Sequence, residues 1–171
     1  MDIFTEQILK AKPTGKQLLA FVGAILVAAI GVFCLLFISG SIGIALVVVG
    51  AFLIYYFKMG QNIEYEYSFL NCDCDIDVII NKTDRKQAYE LGGSDVSAVL
   101  AYNSEKFQNE LEVNAKLTVK NLTSRDKENS DNWYVFMVNS GNGTTGVVLE
   151  LNEKSLEHIK NAYNKTKLQF D

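Results

Sequence analysis

The sequence is poor in the side chains that most catalytic and cross-linked sites require. It contains one histidine, His158, so neither a Cys/His nor a Ser/His/Asp arrangement for nucleophilic catalysis can be assembled from it with conviction. Its three cysteines, Cys34, Cys72 and Cys74, cannot make the disulfide framework of a small secreted domain and fit a reducing compartment better. We therefore expect a protein that is not an enzyme and that uses no cofactor.

Positive charge is scarce after residue 58. The net charge of −4 for the whole chain averages two parts of opposite charge. Residues 1–58 carry four lysines against two acidic residues, whereas residues 59–171 carry twelve basic and eighteen acidic side chains. The first part therefore has a charge of +2 and the second a charge of −6. Because phosphate binding requires clustered Lys and Arg, nucleic acid is excluded as a partner, and anionic lipid headgroups would attract the second part only weakly.

Ionisable residues are missing from a long stretch near the N-terminus. The 21 residues from Leu18 to Ile38 contain no charge, amide or proline, and a helix of this length spans about 30 Å of hydrocarbon. Ser39 to Ser41 interrupt the run, and the 16 residues from Ile42 to Phe57 form a second one. A buried helix of a soluble protein would have a polar face, and a cleaved signal peptide would be shorter. The pattern predicts a transmembrane helical hairpin over residues 17–58, with helices at 18–38 and 42–57.

The distribution of lysines predicts the orientation of this hairpin. Three lysines precede the first helix and Lys58 follows the second, whereas the turn between the helices has none. Cytoplasmic loops of membrane proteins are enriched in Lys and Arg, and aromatic rings such as those of Tyr55 and Tyr56 favour the headgroup level. We therefore expect a multi-pass protein of the cell membrane with its N- and C-termini in the cytoplasm.

The segment before the hairpin has an amphipathic pattern of its own. Within residues 2–10, Ile3, Phe4 and Ile8 fall on one face of a helix. A short helix with one apolar face can lie in the headgroup region of a bilayer. We therefore predict that residues 1–16 form a cytoplasmic interfacial segment.

Small residues recur along both predicted helices. Ala20, Ala24 and Ala28 are spaced by four on the first helix, and Gly43 and Gly50 lie on the second. Such residues allow helices to approach closely, which fits packing within the hairpin as well as a homo-oligomer. No Asp, Glu, Lys, Arg or His lies between Leu18 and Phe57, so the usual markers of ion and substrate pathways are missing and a transporter or channel is disfavoured.

After Lys58 the hydrophobic period changes to two, which is the pattern of half-buried strands. Similar alternation predicts seven short strands, at residues 62–70, 72–80, 85–91, 96–102, 115–121, 133–138 and 146–151. The last two would form a hairpin across Ser140–Gly143, and residues 103–114 are expected to be irregular with one helical turn at most. A helix capped by Asn152 would follow, to about Lys165, and would close the open end of a strongly bent antiparallel sheet.

Four segments, in this order and spacing, resemble a known family: MDIFTEQILKAKPTGK, QNIEYEYSFLNCDCDIDVIINKTDRK, DNWYVFMV and LELNEKSLEHIKNAY. The family consists of uncharacterised small membrane proteins of Gram-positive, clostridia-like bacteria with a two-helix transmembrane hairpin and a bacterial pleckstrin-homology-like (PH-like) domain. The resemblance implies an α+β membrane protein. Residues 59–171 would form a cytoplasmic PH-like domain, an antiparallel β-sandwich or partly open barrel of about seven strands capped by a C-terminal helix. It implies no activity.

Two groups of residues imitate metal sites. Asp73, Asp75 and Asp77 follow the D-x-D-x-D pattern of a calcium loop, but Val78 stands where the sharp turn of that loop requires glycine. Alternate aspartates on a strand would instead share its solvent-exposed face. Cys72 and Cys74 supply two thiols where structural zinc needs four ligands, so cysteines that pack in the core are the preferred interpretation.

Three basic residues at the second turn are the remaining candidates for a binding site. Members of the family typically have a denser basic cluster here, which in this chain has thinned to Lys82, Arg85 and Lys86. These residues are candidate contacts for a lipid headgroup or a partner, and a simple solvated turn is favoured over either. We expect a membrane-anchored cytoplasmic binding or adaptor module whose partner is a membrane-associated protein. A PH-like domain that senses lipid headgroups is the alternative.

Overall fold

The computed structural model describes residues 2–114, 116–140 and 143–170. The chain forms two compact units. The helical unit comprises Lys12–Ile63 and Ile80–Thr83, and the β unit comprises the first eleven residues, Glu64–Ile79 and the chain from Asp84 onward. The β unit is therefore discontinuous in sequence, because the helical hairpin is inserted after its first eleven residues.

The helical unit contains helices α1, Gly15–Phe37, and α2, Gly40–Met59. Thr14 and Gln17 form a capping box that satisfies free amides at the start of α1 and fixes its first residue. Both helices are long and apolar enough to cross a membrane, and only 11% of each apolar stretch is buried inside the protein. Most of their apolar side chains are thus exposed, and both helices predicted from the sequence are present.

Glycines in α2 set the distance between the two helices. A Cβ atom added at Gly50 would lie 2.7 Å from Cα of Ala28, and one added at Gly43 would overlap the backbone of Leu35. Only a residue without a side chain allows this approach. Ala24 and Gly31 of α1 are buried, as are Gly43 and Gly50 of α2. Packing within the hairpin therefore accounts for these small residues.

The β unit begins with a four-stranded sheet of order β1-β2-β3-β4. Its strands are β1 Phe4–Ala11, β2 Ile63–Leu70, β3 Asp73–Ile80 and β4 Asp84–Leu91. The Asn71 amide donates to the Ile3 carbonyl at 2.9 Å, so β1 starts beside the end of β2 and the two strands run in opposite directions. Tyr67, Phe69 and Ile76 are fully buried and form the inner face of this sheet.

The predicted interfacial helix at residues 2–10 is wrong, since this segment is strand β1. In β1, polar residues face the core and large apolar residues face outward, which is the reverse of the usual pattern in a half-buried strand. Thr5 and Gln7 point inward and are buried, whereas Phe4 and Ile8 are 57% and 62% exposed. A search for apolar residues on one buried face could not detect such a strand. The predicted domain boundary at residue 59 consequently leaves out the first strand of the β unit.

The second sheet has five strands in the order β6-β8-β7-β5-β9. They are β5 Val96–Ala101, β6 Thr118–Asn121, β7 Trp133–Ser140, β8 Gly143–Glu150 and β9 Leu168–Gln169. Strand β7 pairs antiparallel with β5 and β8, but β6–β8 and β5–β9 are parallel. These two pairs depart from the expected purely antiparallel sheet. The tip of the predicted β7–β8 turn, residues 141 and 142, lies outside the described residues.

Two helices complete the β unit. Helix α3, Glu105–Val113, begins at an N-cap formed by Ser104 and lies where an irregular segment was expected. Helix α4, Glu153–Ala162, is capped by Asn152 as predicted and ends three residues earlier than expected. A short 3-10 helix spans Lys127–Asn132.

The five-stranded sheet is covered on both faces. On one face, Phe107 of α3 packs against a cluster of buried residues, namely Leu100, Trp133, Val135, Met137 and Val148. On the other face, Phe136 lies against Tyr163, whose hydroxyl donates to the Cys72 carbonyl at the start of β3. The two sheets do not close into a barrel and α4 lies against them, which confirms the predicted open sandwich capped by a C-terminal helix.

Candidate functional site

The three basic residues singled out in the sequence lie in different surroundings. Lys82 occupies the turn between β3 and β4 with a left-handed backbone, at φ 61°. Arg85 and Lys86 are exposed residues of strand β4. Lys82 belongs to the helical unit and the other two to the β unit.

Arg85 is already paired with acidic side chains. Its Nη2 donates to Oε2 of Glu66, and its Nε lies 3.6 Å from Oδ2 of Asp77, although 54% of its side chain remains exposed. The hydrogen bond to Glu66 and the charge of that carboxylate raise the pKa of Arg85, with smaller contributions from Asp77 and Glu6. A phosphate group would have to compete with these carboxylates for the guanidinium.

The aspartates of β3 lie on an acidic face of the four-stranded sheet. Asp73 and Asp75 are exposed and alternate with buried Cys74 and Ile76, as predicted for one solvent-exposed face. Together with Glu90 of β4 they line a shallow depression of about 280 Å³. Among the described residues, no three His, Cys, Asp or Glu side chains are arranged to hold a metal ion.

His158 is a buried residue of α4 that holds three elements together. Its Nε2 lies 2.8 Å from the Asn71 carbonyl and its Nδ1 lies 3.0 Å from Oγ1 of Thr5. A carbonyl oxygen only accepts hydrogen bonds, so Nε2 must carry a proton, and the Thr5 hydroxyl can then donate to Nδ1. Both ring nitrogens are satisfied, which makes His158 a structural link between α4, β1 and the β2–β3 turn.

A second polar network, centred on Glu150, was not predicted from the sequence. Oε2 of Glu150 accepts from the backbone amide and hydroxyl of Ser124, and from Nε1 of Trp133 at 3.2 Å. Nearby, the Tyr67 hydroxyl donates to the Leu122 carbonyl at 2.7 Å, and burial raises the pKa of this tyrosine. The network fixes the loop after β6 to both sheets. Its members are far apart in sequence and follow no motif.

Strand β1 is attached to the second sheet through Gln7. Its side-chain amide donates to the Glu150 carbonyl at 2.7 Å and accepts from the Asn152 amide at 3.0 Å. This explains why a polar residue is buried in the middle of β1, since both of its amide atoms are satisfied. The same contacts place the N-cap of α4 beside β1.

The two neighbouring cysteines have different environments. Cys74 is 2% exposed, and burial raises the pKa of its thiol. Cys72 precedes β3, is half-buried and donates its thiol hydrogen to the carbonyl of Ala162, the last residue of α4, at 3.0 Å. Packing in the core therefore holds for Cys74, whereas Cys72 lies at the border of the core.

A larger cleft lies between α3 and the five-stranded sheet, and it was not predicted. This α3 cleft has a volume of about 450 Å³ and is lined by Ser97, Ala98, Leu100, Lys106, Asn109, Glu110, Met137, Asn139, Thr144 and Gln169. Its floor consists of apolar side chains of β5 and β7, and its walls carry amides and charged groups. Volumes of roughly 300–1,000 Å³ are usual for ligand clefts.

Two unclosed sheets packed with a C-terminal helix, interrupted after the first strand by a pair of apolar helices, define a PH-like domain with an inserted helical hairpin. The chain belongs to the bacterial PH-like domain family, because residues 1–169 match the family described as Bacterial PH-like domain (DUF6106). The match includes strand β1 and both apolar helices. No curated protein and no solved structure matches the chain. Membership of this family supports a role as a binding module.

Proposed function

We propose that this protein is a membrane-anchored module that binds a protein partner at the cytoplasmic face of the cell membrane and catalyses no reaction. Helices α1 and α2 supply the anchor, since both are long and apolar enough to span a bilayer. Lys10, Lys12, Lys16 and Lys58 flank the hairpin on the side that would be cytoplasmic. The PH-like fold supplies the binding surface.

The pairing of Arg85 is the observation that favours a protein over a lipid headgroup. Among the three basic candidates, Arg85 has Glu66 and Asp77 as ion-pair partners, with Glu6 also close enough to stabilise its charge. Asp73, Asp75 and Glu90 add further negative charge to the same sheet. An anionic headgroup gains little from such a surface, because attraction to anionic lipid requires several uncompensated basic residues.

Short connections join the β unit to the hairpin that would anchor it. Three residues, Lys12–Thr14, join β1 to α1, and three others, Gly60–Asn62, join α2 to β2. A three-residue connection reaches at most about 10 Å, so both connections between the hairpin and the β unit are short tethers. Tethering raises the effective concentration of the module toward a partner in the same membrane, to about the millimolar range for short linkers.

The proposal can be tested by crosslinking in the native membrane. The tagged full-length protein is crosslinked in intact cells, purified and analysed by mass spectrometry, with the isolated hairpin, residues 12–62, as the matched control. We expect a membrane-associated protein that is crosslinked to the full chain and not to the hairpin. Recovery of the same proteins with both chains would contradict a binding role for the β unit.

The alternative of headgroup binding needs a separate measurement. The full-length protein is reconstituted in bilayers that contain either photoactivatable phosphatidylserine or photoactivatable phosphatidylcholine. Under the proposed function, lipid adducts do not concentrate on Lys82, Arg85 and Lys86. Adducts at these residues that form with phosphatidylserine only, and that disappear after all three are changed to Glu, would establish lipid sensing instead.

A further inference from the structure

We propose that the α3 cleft binds an extended, uncharged peptide segment of a partner protein and takes up one apolar side chain on its floor. This inference rests on the proposed function, for which it names the binding site and the chemistry of the ligand. All described lining residues belong to the β unit, so the cleft is complete within that unit.

The floor of the cleft is suited to an apolar side chain. Ala98 and Leu100 of β5 and Met137 of β7 form it, and behind them lie the buried residues around Phe107 and Trp133. Ala98 is small and leaves space above the sheet. Met137 has a flexible, polarizable side chain that can adjust to the shape of what it contacts. A ligand side chain that reaches the floor would therefore contact the apolar atoms of these three residues, with the polar walls around it.

The walls carry amide groups suited to a peptide backbone. Asn109 of α3 and Gln169 of β9 make no side-chain hydrogen bond with other described residues. Each of these amides offers both donors and an acceptor, which matches the N–H and C=O of a peptide unit. A phosphate group would offer acceptors only and would leave the amide oxygens unpaired. The chemistry of the walls thus favours a peptide over a phosphorylated ligand.

The charges of the cleft cancel. Lys106 and Glu110 are four residues apart on α3 and lie on the same side of the helix. Neither forms an ion pair with another described residue. With one positive and one negative group at the wall, the cleft attracts neither a strongly acidic nor a strongly basic ligand. We therefore propose an uncharged segment as the ligand. The acidic residues of the four-stranded sheet do not line this cleft.

Methionine methyl groups provide a direct test. The chain has three methionines, of which Met137 lines the cleft and Met59 ends α2. The full-length protein, carrying [methyl-13C]methionine and reconstituted in nanodiscs, is titrated with N-acetyl-Ser-Leu-Ser-amide up to about 10 mM, which covers weak single-segment affinities. We expect the Met137 signal to shift in a saturable way and the Met59 signal to stay in place. N-acetyl-Ser-Glu-Ser-amide and inorganic phosphate should leave both signals unchanged.

Two substitutions locate the binding. Ala98→Phe fills the floor and should weaken peptide binding at least about tenfold, whereas Ala88→Phe, at another half-buried position of a strand, should not. Asn109→Asp alters only an exposed side chain of α3 and should weaken binding by about fivefold, the usual effect of one lost hydrogen bond. The inference is overturned if Met137 does not shift, or if Asn109→Asp and Ala98→Phe both bind as the unmodified chain does.

The outcomes of the peptide titration and of the crosslinking experiment distinguish a failure of this inference from a failure of the proposed function. If crosslinking recovers a protein partner and Ala98→Phe and Asn109→Asp both retain it, the partner binds elsewhere and only this inference fails. If the full chain and the isolated hairpin recover the same proteins but the peptide shifts the Met137 signal, the cleft binds peptides and the proposed partner-binding role fails.

Discussion

Glu150 joins three parts of the β unit through one carboxylate oxygen. Changing Glu150 to Ala would leave the Ser124 amide and Nε1 of Trp133 without their acceptor. Unpaired donors of this kind cost about 1–3 kcal/mol each when they are buried. We therefore predict that Glu150→Ala lowers the free energy of unfolding of the β unit by about 2–4 kcal/mol.

Trp133 is the only tryptophan in the sequence, so its fluorescence during urea unfolding in detergent reports this loss directly. Glu150→Gln is the matched control, because it keeps an oxygen acceptor of nearly the same shape and should lose less than half as much. Equal losses for the two substitutions would show that the charge, and not the set of hydrogen bonds, provides the stability.

At the scale of elements, the pairing of α1 with α2 depends on positions without side chains. Gly50→Val would place atoms where the backbone of Ala28 now lies, since even a Cβ atom would be 2.7 Å from the Ala28 Cα. Overpacking of this kind costs about 1–3 kcal/mol. We predict that Gly50→Val weakens the helix–helix contact of the hairpin in detergent and slows disulfide formation between cysteines placed across it.

A pair of cysteines introduced across α1 and α2 can measure that contact through their rate of disulfide formation. Gly23→Val is the control, because a Cβ atom at Gly23 would meet no atom within 4 Å. If Gly23→Val and Gly50→Val slow crosslinking equally, the change reflects the lower flexibility of valine in the helix and not the close approach.

The elements also show which parts of the fold a sequence can predict. Helices α1 and α2 were predicted because long apolar runs leave few alternatives, and strands β2 and β3 because their apolar residues face inward. Strand β1 was missed since Thr5 and Gln7 occupy its buried face and are satisfied by His158 and Glu150, which are distant in sequence. Helix α3 was missed because its buried face contains one large residue, Phe107. Both failures have the same cause, which is that partners outside the segment determine its structure.

Dependence on distant partners also separates the site residues that could be predicted from those that could not. The exposed alternation of Asp73 and Asp75 follows from the period of a strand, and no partner is needed to infer it. The α3 cleft combines residues from five elements, so its existence depends on the order of strands in the sheet. The ion pairs of Arg85 likewise depend on which strands are neighbours.

At the scale of the whole molecule, the hairpin is inserted after β1. The β unit is therefore built from chain on both sides of the hairpin. Strand β1 contributes buried Thr5, Gln7 and Ala11, and its side chains bond to Glu150, Asn152 and His158. We predict that residues 63–171 alone do not fold cooperatively. A chain in which residues 12–62 are replaced by a short loop should fold into a soluble β unit.

A loop of about four residues is sufficient, because β1 and β2 are neighbouring strands that run in opposite directions and antiparallel strands are joined by short hairpins. The measurement is the urea transition of Trp133 for both chains, together with their state of association by analytical ultracentrifugation. We expect a single sharp transition and a monodisperse species only when β1 is present. A third chain, in which Phe4, Glu6 and Ile8 of the linked form are changed to Ser, should still fold, because these side chains are exposed. If residues 63–171 fold as well as the linked chain, β1 is an accessory strand and the β unit is complete without the segment that precedes α1 and α2.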